Sequence, residues 1–214
     1  MEFKDYFNNS THADVTLRIG DLELPAHKLI LIKGRSHRLC HFYREDDPEA
    51  LKALVSTFYG HTAYDKQTID STSEGVELLK CLIDLYVIAS KYLVPNLCSQ
   101  ILDDFPEMLE AASGGQGYSG NVLKVAWHVY RTHAEAAVDL RDPITSVIAT
   151  SIGKWQGDDR FPYLIRSQSD LAVDVIRMLA GTLEQRSAKK PTKAADVTHA
   201  AEAITVSRKR TRQR

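Results

Sequence analysis

The sequence predicts an α+β chain, a small β-hairpin packed on a helical cluster and followed by an all-α extension. Two observations carry that prediction. Near the start, Val15, Leu17 and Ile19 alternate with polar Thr16 and Arg18, and Leu22 and Leu24 resume the alternation after Gly20-Asp21. This is the period of two strands with one buried face, joined by a two-residue turn. From Pro48 onward the apolar residues instead recur every three or four positions, the period of helices.

Pro25 cannot donate to a sheet ladder and suits a strand end or a first helical turn. Leu29, Ile30, Leu31 and Ile32 are too uniformly apolar for a half-exposed third strand and predict a buried helix. Asp47-Pro48 opens the next helix with a carboxylate cap and a proline in the first turn; Leu51, Leu54, Val55 and Phe58 follow at helical spacing, with an end near Gly60. Ser71 and Glu74 have the spacing of a capping box ahead of a helix carrying Leu78, Leu79, Leu82, Ile83, Tyr86 and Ala89 through Tyr92. Pro95 opens another, with Leu97, Ile101, Leu102 and Phe105. SGGQGYSG, residues 113–120, reads as a glycine-rich joint, and helices are expected beyond it over 122–137, 144–152 and 171–183.

Charge is uneven along the chain. Residues 187–214 hold eight Lys/Arg against two Asp/Glu, a local +6 that leaves −7 for everything before it. Arg208, Lys209, Arg210, Arg212 and Arg214 form a cluster suited to nuclear import or a weak phosphate contact. No aromatic is interleaved with them, so base stacking is not indicated. The tail lacks a core pattern and predicts disorder. Cys40, Cys81 and Cys98 form no CxxC pair, which fits neither a disulfide framework nor a zinc motif and points to a reducing compartment. No signal-peptide core and no membrane-spanning apolar run is visible, so the sequons at Asn8 and Asn9 are expected to stay unmodified and the chain to be cytoplasmic, nuclear or both.

Candidate chemistry is sparse. His27 reads as a structural histidine at a helix entrance. His37, Cys40 and His41 make an HxxCH cluster with one ligand too few for tetrahedral closure. His128 and His133 are five residues apart and fall on different faces of an α-helix. Gly115, Gly117 and Gly120 have GxGxxG spacing, but no strand precedes them, which favours a linker. Asp46-Asp47 and Asp103-Asp104 are expected at helix ends as caps. No catalytic residue, cofactor site or metal site is expected.

With these elements in order, the chain resembles a BTB/POZ domain of the fungal type. The resemblance rests on ADVTLRIGDLELPAHKLIL, EDDPEALKALVSTFYGHTAY and LLKCLIDLYVIASKYLVPNLCSQILDDF, in the family's order. It implies a BTB/POZ-like domain over 12–109, the joint at 113–120, a helical extension over 121–185 and the basic tail at 187–214. It further implies a non-enzymatic interaction module that pairs with itself or with another BTB protein, with Asp14 and Lys28 in a charged pocket at the dimer interface. Recruitment of a cullin-type ubiquitin ligase scaffold is a weaker implication. Between Ser36 and Glu45 the family usually places a helix, a loop and a third strand, whereas here only HRLCHFYR is present. Eight residues reach at most about 29 Å and supply one of the two elements, so the domain is abridged near 36–45. A nuclear, chromatin-associated protein that uses its basic tail is the alternative.

Overall fold

Strand β1 (Val15–Ile19) pairs antiparallel with β2 (Leu22–Ala26), Leu17 opposite Leu24 and Ile19 opposite Leu22. The alternation thus sets the register: Leu17, Ile19, Leu24 and Ala26 are buried while Thr16, Arg18 and Glu23 face solvent. Pro25 stands inside β2, opposite Thr16. The computed structural model describes residues 3–19, 21–33, 46–114 and 120–188. Among them the sheet has these two strands and the rest of the regular structure is helical, which makes the chain α+β.

Helix α1 (Lys28–Lys33) follows the hairpin directly. The expected helix is there, but only half of it is buried: Ile30 and Leu31 face inward, while Leu29 and Ile32 are 78% and 65% exposed. Successive helical side chains are about 100° apart, so four consecutive ones spread over about 300° and cannot all point to one core. Helix α2 (Pro48–Phe58) begins as its sequence dictates, with Asp47 accepting the Ala50 N–H at 2.7 Å, and stops before Gly60 at φ +86°. The hairpin, α1 and α2 share one cluster built on Leu17, Leu24, Ile30, Leu31, Val55 and Tyr59.

Helices α3 (Ser73–Lys91) and α4 (Pro95–Ala112) form the central pair, and α2 packs on α3. The cap of α3 is Thr72, whose hydroxyl accepts the Gly75 N–H at 3.1 Å; the Ser71–Glu74 capping box is not formed. Leu93, at φ +58°, makes the turn into α4. Asp104 is not at a helix end, because α4 continues to Ala112; it instead accepts from Tyr64 Oη at 2.8 Å and Lys66 Nζ at 2.6 Å. Asp46 holds the other end of this pair, accepting from Tyr92 Oη at 2.6 Å and Lys91 Nζ at 2.5 Å.

Beyond the joint, α5 (Gly120–Trp127) packs on both α3 and α4. It passes at His128 into a π-helical turn, His128–Thr132, where a single α-helix over 122–137 was expected. Helices α6 (Arg141–Thr150), α7 (Arg160–Ser167) and α8 (Ser169–Ala188) complete the described chain, with a 3-10 turn at Ile152–Gly157. The pattern predicted α6 and α8 but not α7. Met1–Ile176 is one compact unit, and Arg177–Arg214 separates as a second, described only through the end of α8. The glycines at 115–117 and the basic cluster at 208–214 lie outside the described residues, as does the HxxCH segment. No helix among the described residues is long and apolar enough to cross a membrane.

Candidate functional site

Among the described residues, two places bring the polar side chains of interest into a defined geometry. The first is the entrance of α1. Asp14 Oδ1 accepts the backbone N–H of Lys28 at 2.8 Å, so the carboxylate that precedes β1 caps a helix that follows β2. The Asp14–Lys28 contact therefore runs through backbone rather than through the ammonium. Both residues are exposed in the single chain, beside Leu29 and Ile32. A charged pocket there needs a second molecule to cover it.

His27 sits beneath this face with both ring nitrogens bonded. Its Nε2 lies 2.9 Å from the Thr11 carbonyl and its Nδ1 3.1 Å from Tyr59 Oη, while its backbone N–H donates to the same hydroxyl at 3.0 Å. Nε2 donates to the carbonyl, and in a neutral ring Nδ1 then accepts the Tyr59 proton. Burial pushes the Tyr59 hydroxyl pKa up, and the His27 N–H only partly opposes it. The group is structural. Tyr59→Phe leaves a buried N–H without its acceptor, and the expected loss is about 1–3 kcal/mol by urea denaturation. A loss near zero would mean that water replaces the hydroxyl.

An open cleft of about 510 Å³ lies between the end of α2 and the start of α4, lined by Phe58, His61, Asn96, Leu97 and Gln100 among others. Its one titratable side chain, His61, donates from Nε2 to the Lys4 carbonyl at 3.2 Å.

The second place joins α3 to the π-turn. Asp84 projects from the middle of α3, and its Oδ1 receives His128 Nε2 at 2.7 Å and His133 Nε2 at 2.6 Å. The two imidazoles meet edge to face with centroids 5.1 Å apart. The sequence reading that put them on different faces is corrected here, and the reason is the backbone. At 3.6 residues per turn, residues five apart are about 140° apart around an α-helix. In a π-turn the hydrogen bonds run from i to i+5, which brings residues five apart to nearly one face. Burial raises the Asp84 carboxyl pKa, but the two imidazole hydrogen bonds and their charges outweigh it and hold the group low, at about 2. All three side chains are partly buried, 18% exposed for each histidine and 22% for Asp84.

Sequence reasoning missed Asp84. It stands in LIDLY, flanked by Leu82, Ile83, Leu85 and Tyr86, all buried. A lone carboxylate inside such a run was the available signal, and it identifies no partner by itself. Nearby, Tyr86 donates to Asp139 at 2.6 Å, and Tyr130, within the π-turn, donates to Asp174 at 2.9 Å. These bonds fix the π-turn and the segment after it to their neighbours. No protein family, curated protein or solved structure matches this chain.

Proposed function

We propose that the chain is a protein-interaction module of BTB/POZ type, without catalysis of its own, that pairs with a second copy of itself through the α1 face. The observation that carries this reading is the exposure of Leu29 and Ile32 on a short helix whose other side belongs to the core. Single exposed apolar residues are ordinary on protein surfaces. Two large ones on one turn, beside the exposed Asp14 and Lys28, have the composition of an interface centre with a charged rim. A two-fold pairing is self-complementary, so each Asp14 would approach the partner's α1 and each Lys28 ammonium would gain an acidic neighbour. Covering Leu29 and Ile32 would contribute about 1.5–3 kcal/mol for each side chain fully buried.

Light scattering coupled to size exclusion tests it. The wild-type chain is expected to elute as a dimer at micromolar concentration. The double variant L29E/I32E is expected to be monomeric, with an unchanged circular dichroism spectrum, because both positions are exposed in the single chain. A wild-type chain that stays monomeric and melts cooperatively would remove the proposal.

A further inference from the structure

We propose that Asp84, His128 and His133 bind a divalent first-row transition metal, zinc foremost, through one carboxylate oxygen and two imidazole Nε2 atoms. The donor set selects the ion class. Two imidazoles and a carboxylate suit zinc and its neighbours, whereas magnesium and calcium take oxygen donors almost exclusively.

The geometry is close to what such an ion needs. The three donor atoms lie within 4.8 Å of one another, with the two imidazole nitrogens 2.7 and 2.6 Å from the carboxylate oxygen. Zinc bonds of about 2.0–2.2 Å in a tetrahedron set donor separations of about 3.3 Å. Each contact to Asp84 therefore opens by about 0.6 Å, and the two imidazole nitrogens, which lie within 4.8 Å of one another, settle at about the same 3.3 Å separation to admit the ion. The ion takes the Nε2 lone pairs, so the ring hydrogens move to Nδ1 and both imidazoles ligate as neutral groups. Three protein donors leave a fourth position for water or for a donor from another molecule.

The backbone supplies an independent argument. The π-turn interrupts the regular helix at the residues that swing His133 round to Asp84. Such turns are rare, and they concentrate at functional sites. Asp84, for its part, stands mid-way along a nineteen-residue helix, so its side chain is held on a rigid element. The partial exposure of all three donors leaves the ion a path from solvent.

The competing account is a hydrogen-bonded clasp that only ties the π-turn to α3. Calorimetric titration of the full chain with zinc chloride separates the two, together with cobalt(II) titration followed by visible absorption. The expected result is saturable one-to-one uptake and a cobalt spectrum with nitrogen and oxygen donors only. H133Q and D84N, which keep polar side chains in place, are expected to weaken uptake at least about tenfold with an unchanged circular dichroism spectrum; if H133Q fails to fold, H128Q gives the same readout. The HxxCH segment is a rival source of ligands, so C40S/H41Q is the control and is expected to bind as the wild type does. The proposal is overturned if the wild-type chain takes up no zinc, or if uptake survives H133Q and D84N unchanged. It is equally overturned if uptake disappears in C40S/H41Q and the wild-type cobalt complex shows a thiolate charge-transfer band.

Discussion

Trp155→Ala is expected to lower the stability of the chain by about 3–5 kcal/mol, the range for truncating a large aromatic in a packed core. Trp155 is fully buried although it belongs to a short 3-10 turn, Ile152–Gly157. Its ring stacks on Phe161 with centroids 5.7 Å apart, which joins that turn to α7. Loss of the indole removes the core of this junction, and a six-residue turn with Gly153 and Gly157 in it has little regular structure of its own with which to compensate. At about 2–4 °C per kcal/mol for a domain of this size, the melting temperature should fall by roughly 10 °C. Tyr163→Ala is the comparison. Tyr163 also stacks, on Trp127 at 6.0 Å, but it is 64% exposed, so its loss should cost no more than about 0.5–1.5 kcal/mol. Equal effects from the two variants would mean that the 3-10 turn is not part of the cooperative core.

Trp155 also marks where sequence reading stops. The elements that were legible are those whose causes are local. The hairpin follows from a period of two on each side of Gly20-Asp21, and its register places Leu17 opposite Leu24, both buried, where a slip of one residue would turn one strand's apolar set to solvent. Helix α2 starts at Asp47-Pro48 because a carboxylate cap and a proline at the first position need nothing from elsewhere in the chain. Trp155 sits in GKWQGDD, where no periodic neighbour announces burial. The ring it stacks on, Phe161, belongs to α7, an element that the pattern did not reveal.

The candidate cluster was illegible for a related reason. His128 and His133 were visible as a pair, but their relative direction depends on whether the helix stays α or opens into a π-turn, and that choice is made by packing. Asp139 and Asp174, which hold Tyr86 and Tyr130, come from other parts of the chain. The α1 face was half legible: a helix was indicated by four consecutive apolar residues, but the division into buried Ile30 and Leu31 and exposed Leu29 and Ile32 needs the position of the hairpin and α2. Ser71 and Thr72 are adjacent, and either side chain can cap a helix. The competition between them is decided by Asp70.

That arrangement at Asp70 makes Gly75→Ala the second large expected effect. Asp70 Oδ1 accepts the Thr72 N–H at 2.9 Å and also the Thr72 hydroxyl hydrogen, which orients the hydroxyl oxygen to receive the Gly75 N–H. The loop thereby folds tightly over the first turn of α3. A Cβ on residue 75 would stand 2.5 Å from the backbone N and O of Asp70 and from its carboxylate. Backbone cannot rotate away as a side-chain tip can, so residues 70–72 must lift off the helix, and the cap is lost with them. Overpacking costs about 1–3 kcal/mol and loss of a cap about 0.5–2. Alanine recovers up to about 1 kcal/mol over glycine inside a helix, which leaves a net loss of about 0.5–4 kcal/mol. Gly181→Ala in α8 provides the opposite case, because an added Cβ there meets nothing within 4 Å. It should be neutral or stabilising by up to about 1 kcal/mol. Thermal melts of the two variants against wild type read the difference directly, and a Gly75→Ala chain as stable as wild type would show that the Asp70–Thr72 loop is not seated on α3 in solution.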